Sequence, residues 1–191
     1  MVGALLVFMG LNSERIVEQN SQYLEVSTSQ TARRLNDMFD ASLESTRAMA
    51  SVFEDSLEGP DVNPAEAVDV LTQSQFDQTF FVTTNGVAYN YDGRTADAAD
   101  RHYYIEGMKG QSGVWGVHDA LFQSRNVVAF YAPVRFHGEV VGVMVCGYLD
   151  ETLTELVTTD LFGHPTPTYL VNPMGDVVAI GSSIAHSRRI E

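Results

Sequence analysis

The residues of this chain best suited to chemistry lie in one run, Asp97-Ala-Ala-Asp100-Arg101-His102-Tyr103-Tyr104. Arginine is permanently charged, and its planar fork of N–H donors matches a carboxylate or a carbonyl group. Adjacent tyrosines supply an aromatic wall and a hydroxyl. With Arg101 turned into a pocket, this run would hold a small polar ligand. On a helix, Asp97 and Arg101 instead stand at i and i+4, a favourable surface pair, with Tyr103 and Tyr104 as core residues. The residues alone leave both readings open. Trp115, on the next expected strand, serves equally well as a second wall or as a core tryptophan. His118-Asp119 has the residue types for acid–base or metal chemistry, but a solvated loop pair explains it as simply.

Other chemistries lack their patterns. The five histidines, His102, His118, His137, His164 and His186, include no two at helical ligand spacing. There is no Cys/His zinc arrangement. No GxGxxG, GxxxxGKS/T, HExxH, GxSxG or EF-hand loop is present. An enzyme built on His102, His118 and Asp119 would have no catalytic spacing to support it. The chain is therefore read as non-enzymatic, and no cofactor or metal is expected.

At 191 residues, 45% of them hydrophobic and 10% aromatic, the chain has enough material for a packed core. It is long enough for one domain, or one domain and part of another. Its 25 acidic residues against 11 basic ones leave a formal net charge of −14. That excess argues against nucleic acid, which needs a basic face, and against a surface held on anionic lipid. Cys146 is the single cysteine, so no disulfide forms within the chain. Its place in an expected strand reads as a small buried hydrophobe.

The elements that position the polar run follow from periodicity. Residues 1–10 are apolar, with no Lys or Arg before them. They read as the outer end of a transmembrane helix; a buried helix start or a cloning remnant would look similar. From Leu11 to Leu57 there is no proline or glycine. Ile16, Leu24, Leu35, Met38, Phe39, Ser42, Thr46, Met49, Val52 and Phe53 recur in steps of three, four and seven, as on one face of a helix. This stem, residues 11–57, must project from the domain or pair with another copy, because roughly 65–70 Å of helix exceeds a compact domain of this size. Residues 58–158 form the main module. Glu58-Gly-Pro ends the stem, and Asn63-Pro64 restarts a helix to about Gln73.

Phe76–Thr84 and Val87–Tyr91 read as strands about an Asn85-Gly86 turn. Ala96–Lys109 reads as a helix and Gly113–Asp119 as a strand. Val127–Phe136 and Val140–Leu149 form a hairpin about His137-Gly138. Glu151–Thr158 is a short helix and Gly163–Pro167 a linker. Residues 159–191 hold a second strand–turn–strand unit, Thr168–Asn172 and Asp176–Ile180, which echoes Phe81 to Ala88 and reads as the start of a second, truncated module. Pairing Phe136 with Glu139 places Val128, Phe130, Ala132 and Val134 with Val141, Val143 and Val145 on a side that packs on the stem. It leaves Tyr131 with Met144, Cys146 and Tyr148 on the other, pocket-forming side. The candidate ligand-binding residues are Arg101, Tyr103, Tyr104, Trp115, Asp119, Tyr131 and Tyr148.

From Leu11 to Glu191 the chain resembles the Cache family of extracytoplasmic sensor domains, specifically the double-Cache type. The resemblance is carried by the long stem and the strand-Asn85-Gly86-strand segment. It continues through Asp100-Arg101-His-Tyr-Tyr104 followed by Gly110, Ala132-Pro133-Val134, Gly138-Glu-Val-Val-Gly142 and Tyr169-Leu-Val-Asn-Pro-Met-Gly-Asp176. It implies an α+β fold, a PAS-like antiparallel sheet behind a long helix. It implies an input domain of a bacterial transmembrane receptor, such as a histidine kinase, diguanylate cyclase or chemoreceptor. That domain would lie outside the cytoplasm at the cell membrane, attached through a flanking transmembrane helix and dimeric through its stem. Amino-acid-binding members clamp the ligand carboxylate with Arg-x-Trp-Tyr. Arg101 and Tyr104 match that motif, and Tyr103 stands in the Trp place. The family tyrosine five residues before the arginine falls on Ala96, and the amine-holding aspartate falls near Val145–Gly147. The resemblance thus implies a carboxylate-bearing or other small polar ligand; a dimerisation module of the same fold without a ligand is the alternative.

Overall fold

The computed structural model describes residues 2–60, 71–72, 74–117, 121–122, 125–157, 159–161, 164–166, 168–171 and 177–181. With no proline before Pro60 and no glycine between Gly10 and Gly59, one helix, α1 (Val2–Ser56, 55 residues), takes in the stem and the residues ahead of it. Its length is roughly 80 Å at about 1.5 Å per residue. Among the described residues no helix is long and apolar enough to cross a membrane. Ser42, Thr46, Ala50 and Phe53 are buried along it, with Met38, Phe39, Leu43 and Met49 packed beside them. The spacing of three and four is the expected one, except that Val52 turns outward at 59% exposure. The Thr46 hydroxyl donates to the Ser42 carbonyl at 2.9 Å, so this polar residue enters the core already bonded.

The stripe packs on a six-stranded antiparallel sheet with strands β1 (Gln78–Thr83), β2 (Val87–Asn90), β3 (Thr95–Asp97), β4 (Gly113–Val117), β5 (Val127–Phe136) and β6 (Glu139–Leu149). The order across the sheet is β3-β2-β1-β6-β5-β4, the PAS-like α+β arrangement expected. The β5–β6 turn has positive φ at both central residues, +50° at His137 and +91° at Gly138. That is the type I′ geometry whose twist matches a tight hairpin.

Phe136 pairs with Glu139 as expected, but the ladder then slips. Arg135 pairs with Val140 and Val134 with Gly142, which leaves Val141 as the extra residue of a β-bulge. Beyond it the faces of β6 are the reverse of those expected from an unbroken ladder. Met144 and Cys146 join Ala132, Val134 and Phe81 under Ala50 and Phe53 of the stem. Val143 and Val145 join Tyr131 on the opposite side. Cys146 is buried, 3.8 Å from the Met49 sulfur. Burial pushes its thiol up to about 11, against hydrogen bonds to Thr46 and Thr79 that pull it down.

Two further expectations change. The helix expected over Ala96–Lys109 is shorter, α2 (His102–Met108), because Thr95–Asp97 pairs with β2 as an edge strand. The linker expected at Gly163–Pro167 contains β8 (His164–Thr166), paired with β7 (Thr159–Leu161). The helix expected from Asn63 falls outside the described residues, apart from helical Leu71 and Thr72. The remaining helix, α3 (Asp150–Val157), follows β6 directly. Beyond it β9 (Thr168–Val171) and β10 (Val177–Gly181) form the expected hairpin. Leu170 and Ala179 tuck it against Leu153, Val128 and Phe130.

Phe53 is fully buried and meets Phe81 edge-on at 5.2 Å. Phe53→Ala should cost about 3–5 kcal/mol in equilibrium urea denaturation, whereas Val52→Ala should stay within about 0.5 kcal/mol of the unsubstituted chain.

Candidate functional site

The sheet face opposite the stem carries α2, and the residues before α2 set where its first side chains point. The Asp97 carboxylate accepts from the Ala99 N–H at 3.0 Å. The Ala98 N–H donates to the Gly86 carbonyl at 2.8 Å and the Arg101 N–H to the Ala98 carbonyl at 3.0 Å. This turn ends the edge strand and brings Arg101 in extended conformation to the N-cap of α2, with φ −79° and ψ 136°. Its carbonyl then accepts from the Tyr104 and Ile105 N–H groups. The helical Asp97–Arg101 pair therefore does not form: the two residues lie in different elements. Arg101 Nε stands 3.6 Å from the Asp100 carboxylate instead. The Asp100 side chain is 87% exposed and that of Arg101 only 28%, so the guanidinium turns from bulk water while its partner stays in it.

Beside Arg101 the surface is aromatic. Tyr103 is buried and packs edge-on to Phe80 with ring centres 5.8 Å apart. Burial pushes its phenol well above the usual tyrosine range; Arg101 pulls it back and Asp100 pushes it further up. The Tyr104 hydroxyl donates to the Thr84 carbonyl at 2.8 Å and ties α2 to the β1–β2 turn. Trp115 lies opposite Ala129, and Gly113 opposite Tyr131, on the β4–β5 ladder. His102 stacks on Trp115 at 3.8 Å and meets Tyr131 edge-on at 6.3 Å. The Tyr131 phenol is raised by burial, with the Glu106 carboxylate adding to the effect.

Tyr103, Tyr104, Trp115 and Tyr131 thus come from α2, β4 and β5 to one face, and Arg101 stands at the N-cap of the helix that carries the two α2 tyrosines. Tyr148 does not join them. The bulge places it on the stem side, where it packs on Phe76 at 5.0 Å and Phe130 at 5.9 Å. His118 and Asp119 lie outside the described residues. Three residues of this face were not among the expected ligand contacts. Phe80 is one, and period-two alternation with the core-facing Phe81 could have shown it. His102 was weighed only as a catalytic group, and its stacking partner is remote in sequence. Phe122 reaches Phe80 at 5.4 Å from the β4–β5 connection, under the Arg94 guanidinium at 5.8 Å; nothing in its local sequence signals that. Among the described residues no group of three His, Cys, Asp or Glu could hold a metal ion. A charged fork beside phenols and a stacked imidazole–indole pair can take a carboxylate and a flat or apolar remainder.

No family model matches the sequence, and no curated protein matches it. Solved structures share its fold. The ligand-binding domain of Campylobacter jejuni chemoreceptor Tlp3 in complex with L-norvaline aligns with TM-score 0.67 at 15% identity, over 90% of this chain and 74% of that one. The ligand-binding domain of Pseudomonas fluorescens chemoreceptor CtaA in complex with L-serine aligns with TM-score 0.68 at 14% identity, over 85% and 72%. The ligand-binding domain of the Pseudomonas aeruginosa amino acid chemoreceptor PctC in complex with GABA aligns with TM-score 0.64 at 21% identity, over 83% and 74%. The chain therefore has the α+β fold of bacterial chemoreceptor ligand-binding domains, the fold its Cache resemblance implies.

The raised Tyr103 phenol has a consequence for stability. Folded Tyr103 keeps its proton above the usual phenol value of about 10, where the unfolded residue releases it. Its contribution is complete below that pH and is lost as pH rises, by up to about 1.4 kcal/mol per pH unit. Urea denaturation at about pH 9, 10 and 11 should show this fall, and Tyr103→Phe should make it shallower, with the raised Tyr131 phenol and Cys146 thiol supplying the rest.

Proposed function

We propose that this chain is an extracytoplasmic, non-enzymatic sensor domain of a membrane signalling receptor, with Arg101 anchoring the carboxylate of a small ligand. The observation that carries the reading is the placement of Arg101. A turn holds it at the start of α2, its side chain mostly withdrawn from water, beside Tyr103, whose proton affinity it alters. A guanidinium in that setting keeps its charge, and its planar fork matches a carboxylate. Tyr103, Tyr104, Trp115 and Tyr131 would line the remainder, and Asp119 is kept as a candidate contact. Norvaline, serine and GABA, the molecules held by domains of this fold, all carry a carboxylate.

The same reading assigns the stem. The stripe of α1 on the sheet lies between Met38 and Phe53, while the helix starts at Val2. We propose that its earlier part leads towards a membrane and pairs with a second copy. We propose that residues 159–191 begin a second module, stacked through the β9–β10 hairpin on α3.

A thermal-shift screen of the chain against amino acids, organic acids and amines tests the ligand. A bound compound at a hundredfold excess over its Kd stabilises by about 2.7 kcal/mol. Arg101→Ala should weaken a carboxylate hit by about 10- to 100-fold in titration calorimetry. Tyr148→Phe, on the stem side, should leave Kd unchanged. A panel without hits would favour a dimerisation module of the same fold, as would a hit indifferent to Arg101→Ala.

A further inference from the structure

We infer that Arg135 is a mechanical strap between the end of α2 and the end of the stem, through which a displacement on the Arg101 face reaches α1. Arg135 adjoins the bulge, where the β5–β6 ladder breaks step. Its backbone N–H donates to the Glu54 carboxylate, two residues before the end of α1, at 2.7 Å. A charge-assisted bond of this kind is about twice as strong as a neutral one.

The guanidinium of the same residue works at other sites. Nη2 donates to the Gly110 carbonyl at 3.3 Å, and Nη1 to the Gly138 carbonyl at 3.0 Å. Gly110 closes α2: its N–H donates to the Gly107 carbonyl, and the next residue, Gln111, donates to that of Glu106. Gly110 also has φ +83°, and a Cβ there would stand 2.5 Å from Nη2. Glycine at this position permits both the left-handed turn and the close approach of the strap.

The geometry distinguishes this connection from general packing. The strap spans 81 residues of sequence to Glu54 and 25 to Gly110. It joins the two sides of the sheet at the one place where β5 and β6 lose register. Elsewhere the sides are separated by ladder residues that face one way or the other. A shift of α2 that moves the Gly110 carbonyl therefore pulls on Arg135, and Arg135 holds Glu54. The direction of signalling rests on the sensor reading above; the coupling itself does not.

Amide hydrogen exchange of the ligand-free chain tests it. The reporters are Lys109, Gly110 and Gln111 at the end of α2, with β1 as the monitor of global opening. Glu54→Ala touches none of these reporters, yet it should speed their exchange about fivefold or more while β1 is unchanged. Arg135→Ala should in turn speed exchange at Leu57, whose N–H donates to the Glu54 carbonyl. Ser56→Ala removes a different side-chain bond at the same stem end, to the Phe53 carbonyl, and should leave residues 109–111 as they were. Should Glu54→Ala not fold, Glu54→Gln keeps an acceptor without the charge and should give a smaller rise confined to the same reporters. Exchange at 109–111 within about twofold of the unsubstituted chain, or a rise shared equally by β1, overturns the strap. No ligand enters this experiment, so its failure would leave Arg101 recognition standing, and a barren ligand screen would leave the strap standing.

Discussion

The two-faced hairpin β5–β6 organises this molecule, and a single extra residue in it, Val141, decides what each face shows. Side chains alternate along a strand, so one inserted residue exchanges the faces of everything beyond it. Past the bulge, Met144 and Cys146 point to the stem helix, and Val143 and Val145 to α2. The stem therefore receives flexible sulfur-containing side chains that conform to Phe53 and Met49. The α2 side receives stiff β-branched residues on which Tyr103 and Phe80 rest. The central strand of the sheet is nearly all buried because it serves both cores at once.

The bulge has an electrostatic cost that the fold answers locally. Breaking the ladder releases the Arg135 N–H from its strand partner, and a backbone donor withdrawn from water needs an acceptor. Glu54 supplies it from the stem. Farther along, Asp77 at the approach to β1 accepts from the Leu149 N–H and the Thr152 hydroxyl, so it pins the junction of β6 and α3. Both carboxylates join distant parts of the chain. Much of the acidic excess elsewhere lies in water, as at exposed Asp100, and shapes the surface more than the core.

Identity to the chemoreceptor domains of 14–21% is compatible with the same sheet order because burial pattern, more than residue identity, specifies such a sheet. A fold of this kind hosts many functions, and what one member does is decided by the groups it carries at its own site. On the α2 face this chain carries several phenols and an imidazole stacked on an indole, with a partly screened guanidinium at the N-cap. Arg101 gains its setting from the turn at Asp97–Asp100, so its placement depends on an edge strand of only three residues.

The sequence by itself determined the stem helix, the two hairpins and the bounds of β5, each through local signals: a proline-free amphipathic run, Asn85-Gly86, His137-Gly138, and apolar runs of strand length. The PAS-like class was implied by the Cache resemblance. The sequence also marked Arg101, Tyr103, Tyr104, Trp115 and Tyr131 as the residues to follow. Tertiary structure alone decided which of them meet. Thr95–Asp97 became a strand because β2 offered an open edge, and that moved Arg101 from a helix interior to an N-cap. Tyr148 went to the stem side because register is a property of two strands, and the slip at Val141 has no signature within either one. His102 found Trp115, and Phe122 found Phe80, across distances in sequence that no local pattern encodes. Periodicity reports which side chains need burial; only the pairing of strands settles which neighbours bury them.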